Sequence, residues 1–171
     1  MNTGQTIRIR AAIESDAEQV ARALFDAIRI TASASYSSEV IESWALAPDE
    51  QRCAQIRSVI AGTDELCRVA EEDGIIVGFG SIVPAASELR AVYVRPDVGR
   101  RGIGSALLCE LETMAVARGL SELHMDASVN AEAFYQQHGY QIIERSEHRL
   151  SNGARMACVR MRKALPKGGG A

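Results

Sequence analysis

Hydrophobic and polar residues follow regular spacings along most of this chain, and the clearest run covers residues 88–118. Residues 88–94 alternate between two faces and contain Val-Tyr-Val, a composition typical of a β-strand. From Gly104 to about Arg118 the apolar residues recur every three or four positions, which predicts an amphipathic helix that ends at the next glycine. A glycine-rich turn at 99–105 joins the two, so the run predicts a strand, a turn and a helix in succession.

The same reasoning predicts further elements on both sides of this run. Alternation predicts strands at 6–10, 66–71, 75–83, 122–127, 140–149 and 155–162. Helical spacing predicts helices capped by Ser15 or Asp16 and by Asn130, and others near 39–46 and 49–61. Because a strand, a helix and a strand in one sheet imply a right-handed crossover, strands 88–94 and 122–127 should be parallel neighbours. The order of elements predicts an α/β fold with a mixed sheet.

Length and composition indicate a single globular domain. The chain has 171 residues, of which 47% are hydrophobic and 24% are charged, and its formal net charge is -3. The domain is predicted to span residues 1–165, with a disordered tail at 166–171. The small negative charge argues against nucleic acid as the main partner, since a phosphate backbone attracts a basic face. No run approaches ~18 apolar residues, so no membrane contact is predicted.

The cysteines and the amino terminus favour a cytoplasmic location. Four cysteines lie far apart, without a C-x-x-C pair or matching histidines, which argues against a disulfide framework and against a zinc site. They are expected to be reduced thiols, and no metal is expected. The amino-terminal segment also lacks the apolar stretch that directs export.

The turn at 99–105, Gly-Arg-Arg-Gly-Ile-Gly-Ser, has the chemistry of an anion site. Its glycines let a ligand approach the backbone, and the first helical turn offers unpaired N–H groups. The helix dipole and two arginines favour a phosphate. The glycine order is G-x-x-G-x-G, which excludes the dinucleotide fingerprint, and no lysine follows the last glycine, which excludes the P-loop. The alternative is a tight connection whose arginines only face solvent.

Two motifs carry a resemblance to a known family. The first, Arg-Arg-Gly-Ile-Gly-Ser-Ala-Leu-Leu, follows the Val-Tyr-Val strand. The second, Asn-Ala-Glu-Ala-Phe-Tyr-Gln-Gln-His-Gly-Tyr, spans residues 130–140. With these motifs the chain resembles the GNAT acetyltransferases along nearly its whole length. The resemblance implies a GNAT-type α/β fold: a mixed, mostly antiparallel twisted sheet, flanked by helices and splayed at a central parallel strand pair.

The resemblance also implies that acetyl-coenzyme A is the acetyl donor, with its pyrophosphate on the turn. The residues implied in coenzyme binding are Val92, Tyr93, Val94, Gly99, Arg100, Arg101, Gly102, Ile103, Gly104, Ser105 and Asn130. In the family, a backbone N–H at the position of Val92 donates to the acetyl carbonyl, and the position of Val94 pairs with the pantetheine arm. Where the family motif begins with Gln or Arg, this chain has Gly99. Arg100 or Arg101 is therefore expected to supply the missing contact.

Two catalytic residues are implied by the resemblance. In the family, the tyrosine at the position of Tyr135 protonates the coenzyme thiolate, a transfer that costs only ~2 kcal/mol at ordinary pKa values. Helical spacing places Tyr135 about 100° from Phe134, so Phe134 is expected to pack while Tyr135 reaches out. Glu88 resembles the strand glutamate that acts as base in some members. The alternatives are that Tyr135 lies at the rim of the core and Glu88 at a solvated strand end.

The expected acceptor is a small-molecule amine or a peptide amine that attacks directly, because no cysteine lies in either motif. In the family the acceptor site is built from the segment between the first two strands and from the last hairpin. Here these offer Tyr36, Trp44, His148 and Arg149. Trp44 is expected to pack in the core, the last two to face solvent, and His124 and His138 to have no ligand-like partners. The alternatives are a noncatalytic acyl-coenzyme A sensor and a site for another phosphate-bearing ligand. A homodimer is also compatible with the resemblance.

Overall fold

The computed structural model describes residues 6–167, and within that range one seven-stranded sheet is surrounded by five helices. The strands are β1 (Arg8–Ala11), β2 (Leu66–Glu72), β3 (Ile75–Val83), β4 (Glu88–Val94), β5 (Glu122–Ser128), β6 (Gln141–Arg149) and β7 (Arg155–Ala164). The helices are α1 (Ala17–Thr31), α2 (Ser38–Trp44), α3 (Glu50–Ala61), α4 (Ile103–Ala117) and α5 (Glu132–Gln137). The strand order across the sheet is β1-β2-β3-β4-β5-β7-β6.

The strands β4 and β5 are parallel, and the other neighbouring pairs in the described part of the sheet are antiparallel. This confirms the predicted mixed sheet with a central parallel pair. Within residues 6–167, the register between β4 and β5 consists of one pair, Glu88 with His124. The N–H of His124 also donates to the carbonyl of Ser87 at 3.0 Å. The two strands therefore meet at the start of β4 and separate beyond it.

Helices cover the β1–β4 half of the sheet on both faces. The helices α1 and α3 pack on the face where Phe79 is buried, and α4 packs on the opposite face. A Cβ at Gly78 would lie 2.9 Å from Cδ1 of Leu107, and a Cβ at Gly80 would lie 2.7 Å from Cδ1 of Leu111. The two glycines of β3 therefore allow α4 to lie closer to the sheet than any side chain would permit.

The β5–β7–β6 half is covered differently on its two faces. The helices α4 and α5 bury Leu111 and Tyr135 in one apolar cluster with Leu123 of β5. The other face of β5 exposes His124 and Asp126, and β6 is exposed along most of its length. This half of the sheet thus presents a polar face beside the point where β4 and β5 separate.

Most predicted elements are present with small shifts at their ends. The strand β1 begins at Arg8, two residues later than predicted. The prediction that Asn130 caps a helix is wrong, because β5 continues to Ser128 and a 3-10 turn at Val129–Ala131 follows it directly. The helix α5 starts after this turn, at Glu132, and has no side-chain cap.

The two ends of the chain, 1–5 and 168–171, lie outside the described residues, so most of the predicted tail is not covered. Within the described range, no helix has both the length and the apolar character needed to cross a bilayer. All four cysteines are free thiols, of which Cys109 is exposed and the other three are buried.

Candidate active site

The separation of β4 from β5 leaves backbone donors of β4 without strand partners. Arg95 directly follows β4, and its N–H donates to the carbonyl of Val77 on β3 at 2.8 Å. Because N–H groups alternate along a strand, that of Tyr93 also faces β3, and those of Val92 and Val94 face β5. The register gives neither valine a partner on β5 among the described residues. We call this gap between β4 and β5 the fork.

A groove of about 490 Å³ runs between the end of α1 and β4, and we call it the α1 groove. Its walls are mainly apolar. It brings together the predicted site residues Val92, Tyr93, Val94, Gly99, Arg100, Gly104, Asn130 and Tyr135. The other predicted residues of the turn, Arg101, Gly102, Ile103 and Ser105, are not among its lining residues. The second motif therefore faces the first across this groove, as the resemblance implies.

The turn between β4 and α4 presents the first N–H groups of α4. Arg100 and Gly102 have φ values of 63° and 79°, in the left-handed region, which costs roughly 1–2 kcal/mol at a residue with a side chain such as Arg100. Gly102 is the N-cap of α4 and supplies no capping side chain, so these N–H groups keep their capacity to bind a ligand. Ile103 is buried, so it offers the site only its backbone. A Cβ at Gly104 would lie 3.3 Å from Cζ of Phe134, which lines the same groove.

The side chain of Arg101 points to β2 instead of the groove. Its guanidinium forms a two-point ion pair with Glu72, with nitrogen-to-oxygen distances of 2.5 and 3.1 Å. Hydrogen bonding from Arg101 lowers the pKa of the Glu72 carboxyl, so the pair is charged at neutral pH. Of the two arginines expected to contact a phosphate, only Arg100 lines the groove. Arg101 instead fixes the turn to the end of β2.

His138, for which no ligand-like partner was expected, joins α5 to the first turn of α4. Its Nδ1 lies 2.7 Å from the carbonyl oxygen of Phe134, and its Nε2 lies 2.9 Å from Oγ of Ser105. Because a carbonyl can only accept, Nδ1 carries the hydrogen, and Nε2 of the neutral ring accepts the hydroxyl proton of Ser105. Both partners of His138 are hydrogen-bonding groups of the fold, and the sequence analysis did not predict this link between α4 and α5. The available signal was its helical spacing of four residues from Phe134.

Tyr135 is buried, with 4% of its surface exposed, whereas Phe134 is half-buried beside Gly104. The prediction that Phe134 packs while Tyr135 reaches out is thus wrong in direction, because α5 turns Tyr135 towards the core. Its ring lies 5.6 Å from that of Tyr140. Within residues 6–167 its hydroxyl makes no hydrogen bond. Burial, and to a smaller degree the nearby Tyr93, raise the pKa of Tyr135 above its ordinary value.

A second cavity, of about 320 Å³, opens on the other side of the fork, and we call it the fork cavity. It is lined by residues 88–93 of β4, residues 125–128 of β5, and side chains from α2, α5 and the last hairpin. The α1 groove and the fork cavity share Trp44, Val92, Tyr93, Ser128, Ala131 and Tyr135. The two spaces therefore adjoin at the open backbone of β4, and Tyr135 borders both.

Comparison with known proteins identifies the family. Residues 32–165 match the model of the acetyltransferase (GNAT) domain. The chain belongs to the GNAT family. The spermidine N(1)-acetyltransferase of Thermoplasma acidophilum is 28% identical over 145 residues, which cover 80% of this chain and 89% of that protein.

Solved structures agree with this assignment. A GCN5-related N-acetyltransferase of Rhodopseudomonas palustris has a TM-score of 0.85 and 31% identity, covering 96% of this chain and 100% of its own. The PaiA N-acetyltransferase of T. acidophilum, solved in complex with coenzyme A, has a TM-score of 0.75 and 23% identity, covering 94% of this chain and 99% of its own. The fold of this GNAT protein is therefore that of known acetyltransferases.

In this GNAT protein Glu88 lies at the closed end of the fork and lines the fork cavity. Its carboxylate is 30% exposed and accepts two hydrogen bonds from Arg90, at 2.8 and 3.3 Å. Arg90 also binds Glu65, whose other oxygen accepts a hydrogen bond from Ser81. Glu88 is therefore neither deeply buried nor a free strand end. It is a half-buried carboxylate with one arginine partner.

Trp44, the last residue of α2, lines the fork cavity, and Tyr36 from the segment between α1 and α2 packs beside it. The hydroxyl of Tyr36 donates to the carbonyl of Ala157 at 2.7 Å and accepts the N–H of Val129 at 2.8 Å. The ring of Trp44 packs edge-on against Tyr36 and Tyr93, with centroids 5.7 and 6.5 Å apart. We call this arrangement of Tyr36 and Trp44 the aromatic roof. Trp44 thus lines both cavities in addition to packing, a role that its sequence context did not indicate.

The last hairpin also reaches the fork cavity. His148 is 54% exposed, as expected for a hairpin face, yet it lines the cavity and its Nδ1 lies 4.0 Å from Oδ2 of Asp126. Arg149 is exposed and does not line the fork cavity. Asp126 and Cys158, which also line it, were missed in the sequence because neither lies in a motif.

Proposed function

We propose that this protein transfers the acetyl group of acetyl-coenzyme A to an amine, by direct attack of the amine in a ternary complex. The observation that carries the proposal is the fork, where the N–H groups of Val92 and Val94 face a gap that two cavities adjoin. A backbone donor fixed in this way is suited to the negative charge that develops on a carbonyl oxygen during acyl transfer. The coenzyme supplies the thioester.

The residues of the α1 groove and the turn fit coenzyme A. The first N–H groups of α4, a helix of 15 residues, and the positive end of its dipole suit a pyrophosphate. Arg100 lines the groove and is cationic, and the apolar walls suit the pantetheine arm. The N–H of Val94 is free to pair with an amide of that arm, as an added strand would. The coenzyme A complex of the PaiA structure supports the same choice of ligand.

We assign the role of proton donor to Tyr135. Tyr135 lines both cavities, and its hydroxyl has no hydrogen bond within the described residues and a raised pKa. The raised pKa keeps the hydroxyl protonated at neutral pH, which a donor requires. It also makes proton transfer to a leaving thiolate more costly than the ~2 kcal/mol of ordinary groups, unless the same apolar surroundings raise the pKa of the thiol as well.

We assign the role of base to Glu88, acting directly or through a water molecule. An alkyl ammonium with a pKa near 10.4 must lose a proton before it attacks, which costs about 4.6 kcal/mol at neutral pH. Glu88 is the carboxylate of β4 on the fork cavity. Cys158 lines the same cavity, but burial raises the pKa of its thiol and leaves little thiolate at neutral pH. This supports direct transfer to the amine over an acetylated cysteine intermediate.

The test is a release assay for free coenzyme A with a panel of amines, together with calorimetry of coenzyme binding. We expect binding, and turnover with at least one amine. A protein that binds acyl-coenzyme A tightly but acetylates nothing would support the alternative of a noncatalytic sensor. A protein that binds neither coenzyme A nor acetyl-coenzyme A would overturn the proposal.

A further inference from the structure

We propose that the acceptor is a small aliphatic amine that carries a second positive charge and no carboxylate. This inference rests on the proposed function, because it concerns the acceptor side of the same site. Three features of the fork cavity lead to it: the charges of its walls, the aromatic roof beside it, and the hydroxyl of Tyr135, which makes no hydrogen bond within the described residues. None of them follows from the motifs.

The wall on β4 carries an excess negative charge. Arg90 bridges Glu88 and Glu65, with ion-pair distances of 2.8 and 3.1 Å. Hydrogen bonding from Glu88 raises the pKa of Arg90, which therefore stays charged. Two carboxylates with one guanidinium leave one net negative charge on this group, of which Glu88 and Arg90 line the cavity and Glu65 lies behind them.

The wall on β5 repeats this charge balance with different residues. Arg160 bridges Asp126 and Glu144, with ion-pair distances of 3.2 and 2.5 Å. Asp126 lines the fork cavity, so a second net negative charge adjoins the same space. His148 also lines the cavity, with its Nδ1 4.0 Å from Oδ2 of Asp126. These groups are one-third to one-half exposed, so we expect solvent to reduce their effect but not to cancel it.

The two negative groups select for a second cation. The attacking nitrogen must be deprotonated before it reacts, so the positive charge of its ammonium form cannot contribute to attraction in the transition state. A second ammonium group keeps its charge and is attracted throughout the reaction. A carboxylate on the acceptor is instead repelled by both walls.

The size of the space favours a compact acceptor. The fork cavity measures about 320 Å³, near the lower end of the range for small-molecule pockets. Trp44 of the aromatic roof lines this cavity, and it packs on Tyr36, which donates a hydrogen bond to β7 and accepts one from the turn after β5. Apolar side chains complete the lining: Leu89, Met125, Leu150 and Met156. Tyr135 also lines the cavity, is 4% exposed as a residue, and its hydroxyl makes no hydrogen bond within residues 6–167.

The first test compares four acceptors at saturating acetyl-coenzyme A. Putrescine, n-butylamine and γ-aminobutyrate have the same chain length and differ in the group at the far end, and a short peptide with a free amino terminus tests size. We expect kcat/KM to be about tenfold higher for putrescine than for n-butylamine, because the walls attract its second ammonium group. We expect kcat/KM for γ-aminobutyrate to be lower than for n-butylamine, because the walls repel its carboxylate. Equal or better turnover of γ-aminobutyrate or of the peptide would overturn the inference alone. Coenzyme binding without turnover of any of the four would also overturn it, whereas loss of coenzyme binding would overturn the proposed function.

The second test uses Asp126→Asn, with Glu147→Gln as matched control. Glu147 pairs with Arg155 on the same hairpin but does not line the fork cavity, so its substitution removes an equal charge from outside the site. We expect Asp126→Asn to lower kcat/KM for putrescine by about five- to tenfold and to leave that for n-butylamine within about twofold. The control should change neither. An equal loss on both amines, with coenzyme affinity intact, would show that Asp126 does not select for charge.

The third test opens the roof with Tyr36→Ala. This variant loses both hydrogen bonds and the ring on which Trp44 packs, so Trp44 should become free to move and the fork cavity should widen. We expect the ratio of peptide to putrescine turnover to rise by about tenfold or more over the parent protein. An unchanged ratio in a variant that still binds coenzyme A would contradict the size limit.

Discussion

Tyr135 combines the properties that a buried proton donor needs. The rings of Phe134 and Tyr140 hold it at 5.0 and 5.6 Å, so its position is set by packing. Its hydroxyl has no competing hydrogen bond within residues 6–167, and burial raises its pKa above the ordinary value of 10.0. A positioned, protonated and uncommitted hydroxyl is able to protonate a thiolate as soon as one forms.

Tyr135→Phe should lower kcat by about 100-fold while leaving coenzyme affinity unchanged, since only the hydroxyl is lost. Because the pKa of Tyr135 is raised, its protonated hydroxyl is fully present below the ordinary tyrosine pKa. It is lost only when the pH rises through the raised pKa. The loss of activity should therefore be constant from about pH 6 to 9. Thiol-release kinetics across this range, with calorimetry of coenzyme binding, measure both quantities.

The matched control is Tyr140→Phe, which removes a neighbouring buried hydroxyl that makes no geometrically ideal hydrogen bond within residues 6–167. This hydroxyl faces Glu112 and not the cavities, so activity should change by less than about threefold. Unchanged turnover in Tyr135→Phe, or an equal loss in both variants, would remove the role assigned to Tyr135.

At the scale of elements, contacts that are distant in sequence hold the turn that precedes α4. Arg101 ties it to β2 through Glu72, and Ser105 ties the first turn of α4 to α5 through His138. The same α5 carries Tyr135. We infer that the position of the proposed pyrophosphate site and the position of the proton donor are coupled through His138.

A double-mutant cycle with Ser105→Ala and His138→Phe tests this coupling. Each single variant should weaken coenzyme binding by about three- to tenfold, because each breaks the same hydrogen bond. The double variant should be little worse than either one, since contacting residues are not additive. Additive losses in calorimetry would mean that the two residues act separately, and unchanged affinity in all three variants would mean that the bond does not position the turn.

The elements themselves were predictable because their signals are local. The spacing of Leu107, Leu108 and Leu111 predicts α4, and Val-Tyr-Val predicts β4. The site was less predictable wherever it depends on contacts between distant segments. The partner of Arg101 lies 29 residues away and that of Tyr36 lies 121 residues away, and no local pattern specifies either.

The orientation of α5 shows the same limit. The angle between Phe134 and Tyr135 follows from helix geometry, but which of them faces the sheet depends on how α5 docks. Tyr140 and the apolar residues of β5 and β7 decide that, and they turn Tyr135 inwards. Val92 and Val94 were predicted from the family resemblance alone. The residues of β4 do not indicate the fork, because the fork depends on the fold as a whole.

At the scale of the whole molecule, the sheet consists of two halves that meet between β4 and β5. Their register is one residue pair within residues 6–167, while every other pair of neighbouring strands has at least four. The α1 groove is lined by α1 and β4 from one half and by Asn130 and Phe134 from the other. A ligand in this groove therefore contacts both halves where the sheet is weakest.

Coenzyme A should accordingly stabilise the folded protein. At a free concentration 100 times Kd it adds about 2.7 kcal/mol to the free energy of unfolding, which for a domain of this size raises Tm by roughly 5–10 °C. Differential scanning calorimetry measures the shift, and amide exchange should slow in β4 and β5 more than in β1. Gly104→Glu, which places bulk and negative charge at the turn, should fold and show no shift. A full shift in that variant would place the ligand elsewhere.

The glycines of β3 have a consequence for how sequence changes in this protein should be interpreted. Since Leu107 and Leu111 of α4 pack directly over Gly78 and Gly80, a methyl group at either position would displace these leucines and disturb the packing that holds α4 and the turn before it. Such a substitution lies deep in the interior, far from any ligand. We expect its larger effect to be weaker coenzyme binding and its smaller effect to be lower thermal stability. Natural or engineered variation at these two sites is therefore expected to change ligand affinity from a distance.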